Sequence, residues 1–127
     1  MDYSQFVGLP WRDRGRGPDA YDCWGLFRLA FGAATGIDLP SHDEHYRSAA
    51  DHNETALVVA GGRGDWDEVP HAAMRELDGA VFVMTGRFHI GLVVRRGLVL
   101  HMPFQGTSVI APLSRFPKPT LYRHREL

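Results

Sequence analysis

The hydrophobic pattern of this chain changes period once, and that change limits the folds open to it. From Cys23 the apolar positions Cys23, Leu26, Phe27, Ala30 and Ala34 recur at helical spacing. Asp22 is a suitable N-cap, and Gly32 and Gly36 mark the far end. The C-terminal half instead carries short β-rich runs parted by turn residues: Ala80 to Met84, Phe88 to Val94, Leu98 to Met102, Ser108 to Leu113, and a final Leu121-Tyr122-Arg123. A helix stripe must be covered, and the β-rich half is the only sizeable candidate. The order predicts an α+β fold, a helix packed on an antiparallel meander. Its 127 residues suffice for one core, so a single domain over 1–127 is expected. Pro103, Pro112, Pro117 and Pro119 interrupt ladders, which predicts late strands that are short or lie at edges.

Between these regions the reading is coarser. Gly8, Pro10, Gly15, Gly17 and Pro18 predict an ordered loop anchored by Trp11. Ser41-His42-Asp43-Glu44 has capping-box form and predicts a short polar helix toward Ala50, with another near Glu54 to Ala60 ended by Gly61, Gly62 and Gly64. Trp66 and Val69 read as buried anchors of a connecting segment.

Several function classes are disfavoured. A net charge of −1 argues against a nucleic-acid footprint, and Arg12, Arg14, Arg16, Arg95 and Arg96 read as solvated loop residues. No run reaches the roughly 18 apolar residues of a membrane span. The N-terminus lacks the basic start and apolar run of a secretory signal, so synthesis in the cytoplasm is expected. One cysteine forms no internal disulfide. His42, His45 and His52, beside Asp43 and Glu44, lack His-Glu-x-x-His spacing and read as a solvent-facing polar surface rather than a metal site.

Cys23 stands at the predicted helix start in Tyr21-Asp22-Cys23-Trp24-Gly25-Leu26. A free thiol titrates near ~8.5 and a helix N-terminus favours its anion, so Cys23 is expected to be partly ionised at neutral pH and fit for nucleophilic attack. A base is needed within reach, and His89 and His101 flank the turn Arg95-Arg96-Gly97. A three-residue loop would pair Val94 with Leu98, set Gly91 opposite His101 and leave the imidazoles diagonal neighbours about 7 Å apart at the backbone. Gly91 would leave room between them. A two-residue loop would pair His101 with Leu92 and send the rings to opposite faces.

Taken together, Gly8-x-Pro10-Trp11, Gly15, Pro18, Tyr21-Asp22-Cys23-Trp24-Gly25-Leu26, His89-Ile90-Gly91-Leu92 and Leu100-His101 resemble the NlpC/P60 cysteine peptidases over most of the chain. With Gly36-Ile37-Asp38-Leu39-Pro40, the chain is most similar to versions found in tailed-phage and phage-like tail modules. The resemblance implies a papain-like fold, no cofactor or metal, and cell-wall peptides as substrate, commonly cut between D-γ-glutamate and a diamino acid. It implies Cys23 as nucleophile, His89 as general base and acid, and His101 as the residue orienting His89. It also implies substrate contacts at Trp11 and Trp24, where many relatives carry Tyr and Ser, and an amine-binding role for Asp22. Asp78-Gly79 stands where relatives often show Gly-Asp, a change expected to affect a turn. Tail-tip or hub proteins are the implied partners, and a virion or tail particle acting at the cell wall the implied location. Two alternatives remain open: a mainly structural hub-docking domain, and an amidase or acyltransferase using the same three residues.

Overall fold

The computed structural model of the chain describes residues 1–40, 65–84 and 87–127. The two helices expected between residues 41 and 60, and His42, His45 and His52 on them, lie outside the described residues. Helix α1 spans Cys23–Thr35. Its start is fixed by Asp22, whose carboxylate accepts the Gly25 N–H at 2.7 Å, and its end by Gly36, left-handed at φ 77°. Both signals were legible in the sequence.

The sheet has six strands: β1 (Trp66–Val69), β2 (Gly79–Met84), β3 (Arg87–Arg95), β4 (Leu98–His101), β5 (Val109–Pro112) and β6 (Thr120–His124). Their spatial order is β1-β6-β2-β3-β4-β5, with every pairing antiparallel. The central run β2 to β5 is the expected meander. One expectation needs correction: Trp66 and Val69 belong to a strand, β1, rather than a connecting segment. The late strands are short, as expected; β6 has five residues and lies between β1 and β2, with Pro119 falling just before its first residue and so removing no donor from the ladder. Pro112 does end the edge strand β5.

The alternation of side chains divides the sheet into two apolar faces. Val81, Ile90, Leu92, Leu100 and Tyr122 meet α1 through Cys23, Leu26, Phe27, Ala30 and Phe31. A line of rings extends this core: Trp24 stacks on Phe27 at 5.6 Å, Phe27 on Phe31 at 5.8 Å, and Phe31 meets Trp66 at 5.4 Å. Each such buried side chain contributes roughly 1.5–3 kcal/mol of apolar burial. The opposite face carries Ala80, Phe82, Val93, Val99 and Leu121, covered by Val69, Met74, Leu113 and Phe116.

Outside the apolar core, Asp78 at the foot of β2 has no exposed surface and is gripped by Arg123 on β6, with contacts of 2.7 and 2.9 Å. The Arg123 Nη2 also donates to the Ala73 carbonyl. Asp78 thus serves the turn before β2, as expected. Replacing Arg123 by Met keeps the stem and leaves a buried carboxylate without its cation; urea unfolding is expected to show a loss of about 2–3 kcal/mol.

Candidate active site

Two backbone features position the site. The first is the loop over residues 8–21, which folds across the start of α1. Its Gly15 carbonyl would lie 2.0 Å from a β-carbon at residue 25, so only glycine fits there. The second is the β3–β4 hairpin. Leu92 faces Leu100 and Val93 faces Val99, which carries Gly91 opposite His101 as expected, but by another route: Leu98 pairs with Arg95 rather than Val94, so the loop is the two residues Arg96-Gly97 and a bulge restores the register. A bulge between Val93 and Arg95 closes the hairpin on Arg95 and Leu98, and Gly97 takes φ 85°. A β-carbon on Gly91 would fall 2.5 Å from the Val99 side chain and 3.3 Å from the His101 Cβ.

On this register His89 and His101 share a face. The His89 Nε2 lies 3.1 Å from the His101 Nδ1, and the rings stand at 88° to each other. Burial pushes the His101 imidazole down to about 4, so it is neutral at neutral pH and can accept a proton bond at Nδ1. With the His89 Nε2–H donating, the His89 Nδ1 is left as the basic nitrogen.

Cys23 reaches the same strand from α1. β4 stops at His101, so Arg87 to Ile90 of β3 pair only with β2 among the described strands. Here the Ile90 backbone N–H meets the Cys23 sulfur. Ile90 directly follows His89 in the chain, and the site therefore joins one helix end to one strand.

The expected ionisation of Cys23 is overturned. Burial pushes the thiol up to about 12, and the Asp22 carboxylate adds to the rise, against the N–H groups of Ile90 and Trp24 and the Arg16 guanidinium. The expectation treated the helix N-terminus as an open positive pole. Asp22, as cap, accepts the Gly25 N–H and puts its own negative charge beside the sulfur. The resting site holds a thiol.

The three expected substrate contacts fare differently. Trp11 is half-buried, donates its backbone N–H to the Gly106 carbonyl, and meets the exposed Phe104 edge to face at 4.9 Å. Trp24 is 1% exposed and belongs to the core rather than a cleft; its position on the inward stripe of α1 buries it, and its Nε1 donates to the Pro40 carbonyl. Asp22 is fully buried, with Oδ1 bonded to Gly25 N–H and to Arg16 Nη1 at 2.8 Å, so its carboxylate is not open to a substrate amine. Arg28, which would pass for a solvated helix residue, donates to the Leu39 carbonyl. Trp24 and Arg28 together pin the segment after α1.

Sequence reasoning missed four participants: Arg16, the Ile90 N–H, and the rings of Phe82 and Phe116 behind the histidines. Arg16 sits in a basic run that resembles solvent-exposed loop, and nothing in its spacing to Asp22 marks the pair.

Comparison with known proteins identifies the family and the fold. The sequence model of the NlpC/P60 family matches residues 8–126. The NlpC/p60 domain of the peptidoglycan hydrolase SagA is similar in fold, with a TM-score of 0.62, 18% identity, and coverage of 93% of this chain and 88% of that one. NlpC2 from Trichomonas vaginalis has a TM-score of 0.67 and 20% identity, over 94% of this chain and 43% of its own. An NLP/P60 family protein of Staphylococcus aureus, described as similar to lipoprotein, has a TM-score of 0.59 and 17% identity, over 91% of this chain and 37% of its own. The chain therefore spans less than half the length of these last two. No curated protein matches it.

The site's titration is measurable. The folded chain holds the Cys23 proton longer than the unfolded chain, so this contribution to stability is intact below pH 9.0 and is lost as pH rises from there toward about 12. Thiolate absorbance of the folded chain is expected to stay flat through pH 9.0 and to rise only as pH approaches about 12, and Cys23→Ser to remove the matching part of the alkaline stability loss.

Proposed function

The chain belongs to the NlpC/P60 family and is a cysteine-type peptidase, and we propose that it cuts bacterial cell-wall peptides, at the bond between D-γ-glutamate and a diamino acid. The observation that carries this is the 3.1 Å contact between His89 and His101, formed one residue from the N–H that meets the Cys23 sulfur.

In this reading Cys23 is the nucleophile. Since the resting sulfur is protonated, His89 Nδ1 takes its proton as the sulfur attacks the peptide carbonyl, rather than acting on a standing thiolate. The oxyanion is received by backbone N–H groups, that of Cys23 among them. Protonated His89 then gives its proton to the departing amine, and the same ring activates the water that hydrolyses the thioester. His101 holds Nε2–H of His89 throughout, fixing the tautomer. Trp11, with Phe104, is the proposed wall for the peptide.

The place of action proposed is a phage-like tail, docked on a tip or hub protein and opening the wall locally. Its support is the resemblance of Asp22-Cys23-Trp24-Gly25-Leu26 and Gly36-Ile37-Asp38-Leu39-Pro40 to tail-module versions of the family. The buried, protonated thiol favours one second reading: a docking domain with little turnover. An amidase or acyltransferase would differ in its product.

Incubation with muropeptides of defined stem, read by mass spectrometry, separates these. Wild type is expected to yield fragments cut after D-γ-glutamate, Cys23→Ala to lose at least about a thousand-fold in rate, and His101→Ala about a hundred-fold. Equal cleavage by wild type and Cys23→Ala would remove Cys23 from the mechanism; no cleavage by either would favour docking.

A further inference from the structure

The face of the sheet that bears the two histidines is closed by an aromatic residue from outside the sheet. Phe116 follows the turn Leu113–Arg115 and is held by its own N–H on the Leu113 carbonyl at 3.0 Å, while Leu113 N–H binds the Gly97 carbonyl of the β3–β4 turn at 2.9 Å. From there its ring lies 4.9 Å from that of His101 at 87°, and 4.8 Å from Phe82. Phe82 in turn lies 6.2 Å from His89, its partner across β2 and β3. The four rings form one closed set. We propose that Phe116 is a positioning residue of the reaction: it fixes the His101 ring and shuts water from it, so that His101 presents a bare Nδ1 to His89.

This rests on the peptidase reading of the site and adds a requirement to it. Were His101 protonated, both its nitrogens would carry hydrogen, and Nδ1 would donate to the His89 Nε2. The single proton of His89 would then sit on Nδ1, and that nitrogen could no longer accept from Cys23. A charged His101 is thus an inactive site. The groups around it agree with a purely steric control. β3 contributes His89, β5 contributes Val109 across the ladder, and the turn contributes Phe116, with Arg115 beside it exposed. Loss of water alone lowers the His101 titration, with no charged neighbour adding to it. His101 is 7% exposed, and the Phe116 ring is one of its covers.

The test is an NMR titration of the histidine rings in the full chain, in wild type, Phe116→Ala, Phe116→Leu and Phe116→Tyr, beside kcat on muropeptide against pH. In wild type His101 is expected to titrate near 4. Phe116→Ala is expected to move it up by roughly one to two units toward the ordinary histidine value, Phe116→Leu by less, and Phe116→Tyr to restore it. The acid limb of kcat should follow the same order, while KM stays within about two-fold. His124, whose ring packs on Phe31 and Trp66 on the helix side of the sheet, serves as an internal control. A His101 titration unmoved in a folded Phe116→Ala overturns the proposal, whatever the activity. If that variant does not fold, an unmoved Phe116→Leu does so. A chain without peptidase activity in which His101 still moves would fail the peptidase reading alone.

Discussion

The buried Asp22 carboxylate is the contact on which the rest of the site depends. It closes the first turn of α1 through the Gly25 N–H and binds Arg16, whose own Nη1 also reaches the Gly15 carbonyl. One charge thereby sets where the helix begins, how the preceding loop crosses it, and where the sulfur of the next residue stands. A buried carboxylate is tolerated only with such partners. Its cost is local: the same charge opposes ionisation of the neighbouring thiol. Helix start and thiol ionisation are set by one group with opposed demands.

The sheet answers the helix with a mismatch in strand length. β3 runs from Arg87 to Arg95, whereas β4 begins at Leu98 and ends at His101. The part of β3 that outruns β4 holds His89 and Ile90. Ladder donors in that stretch need other acceptors, and the sulfur is the one at Ile90. The end of a strand is thus where helix and histidines can meet.

Much of this was legible in the residues. The period-3.6 stripe, the Asp22 cap and the Gly36 terminus gave α1 nearly to the residue, because each reports a local requirement. The β3–β4 register agreed with expectation for a different reason: the loop has two residues, and the bulge between Val93 and Arg95, which no residue type announces, is what sets Gly91 opposite His101 and lets the two histidines meet. What stayed hidden was non-local. β1 is four residues long and pairs with β6, nearly sixty residues away, so its burial pattern carries little period. Trp24 looked like a cleft residue because it adjoins Cys23, but on a helix adjacent residues point about 100° apart, and the stripe it belongs to faces the core. The thiol's ionisation was misjudged because dipole reasoning omits the charge of the cap itself. Phe116 is one aromatic among several in the C-terminal half, and only the fold brings it over His101.

The protonated sulfur bears on durability as well as on catalysis. Oxidation to sulfenic and higher acids follows thiolate character and access, and Cys23 offers little of either, being 7% exposed. The burial that delays ionisation of Cys23 therefore also shields the sulfur from oxidants.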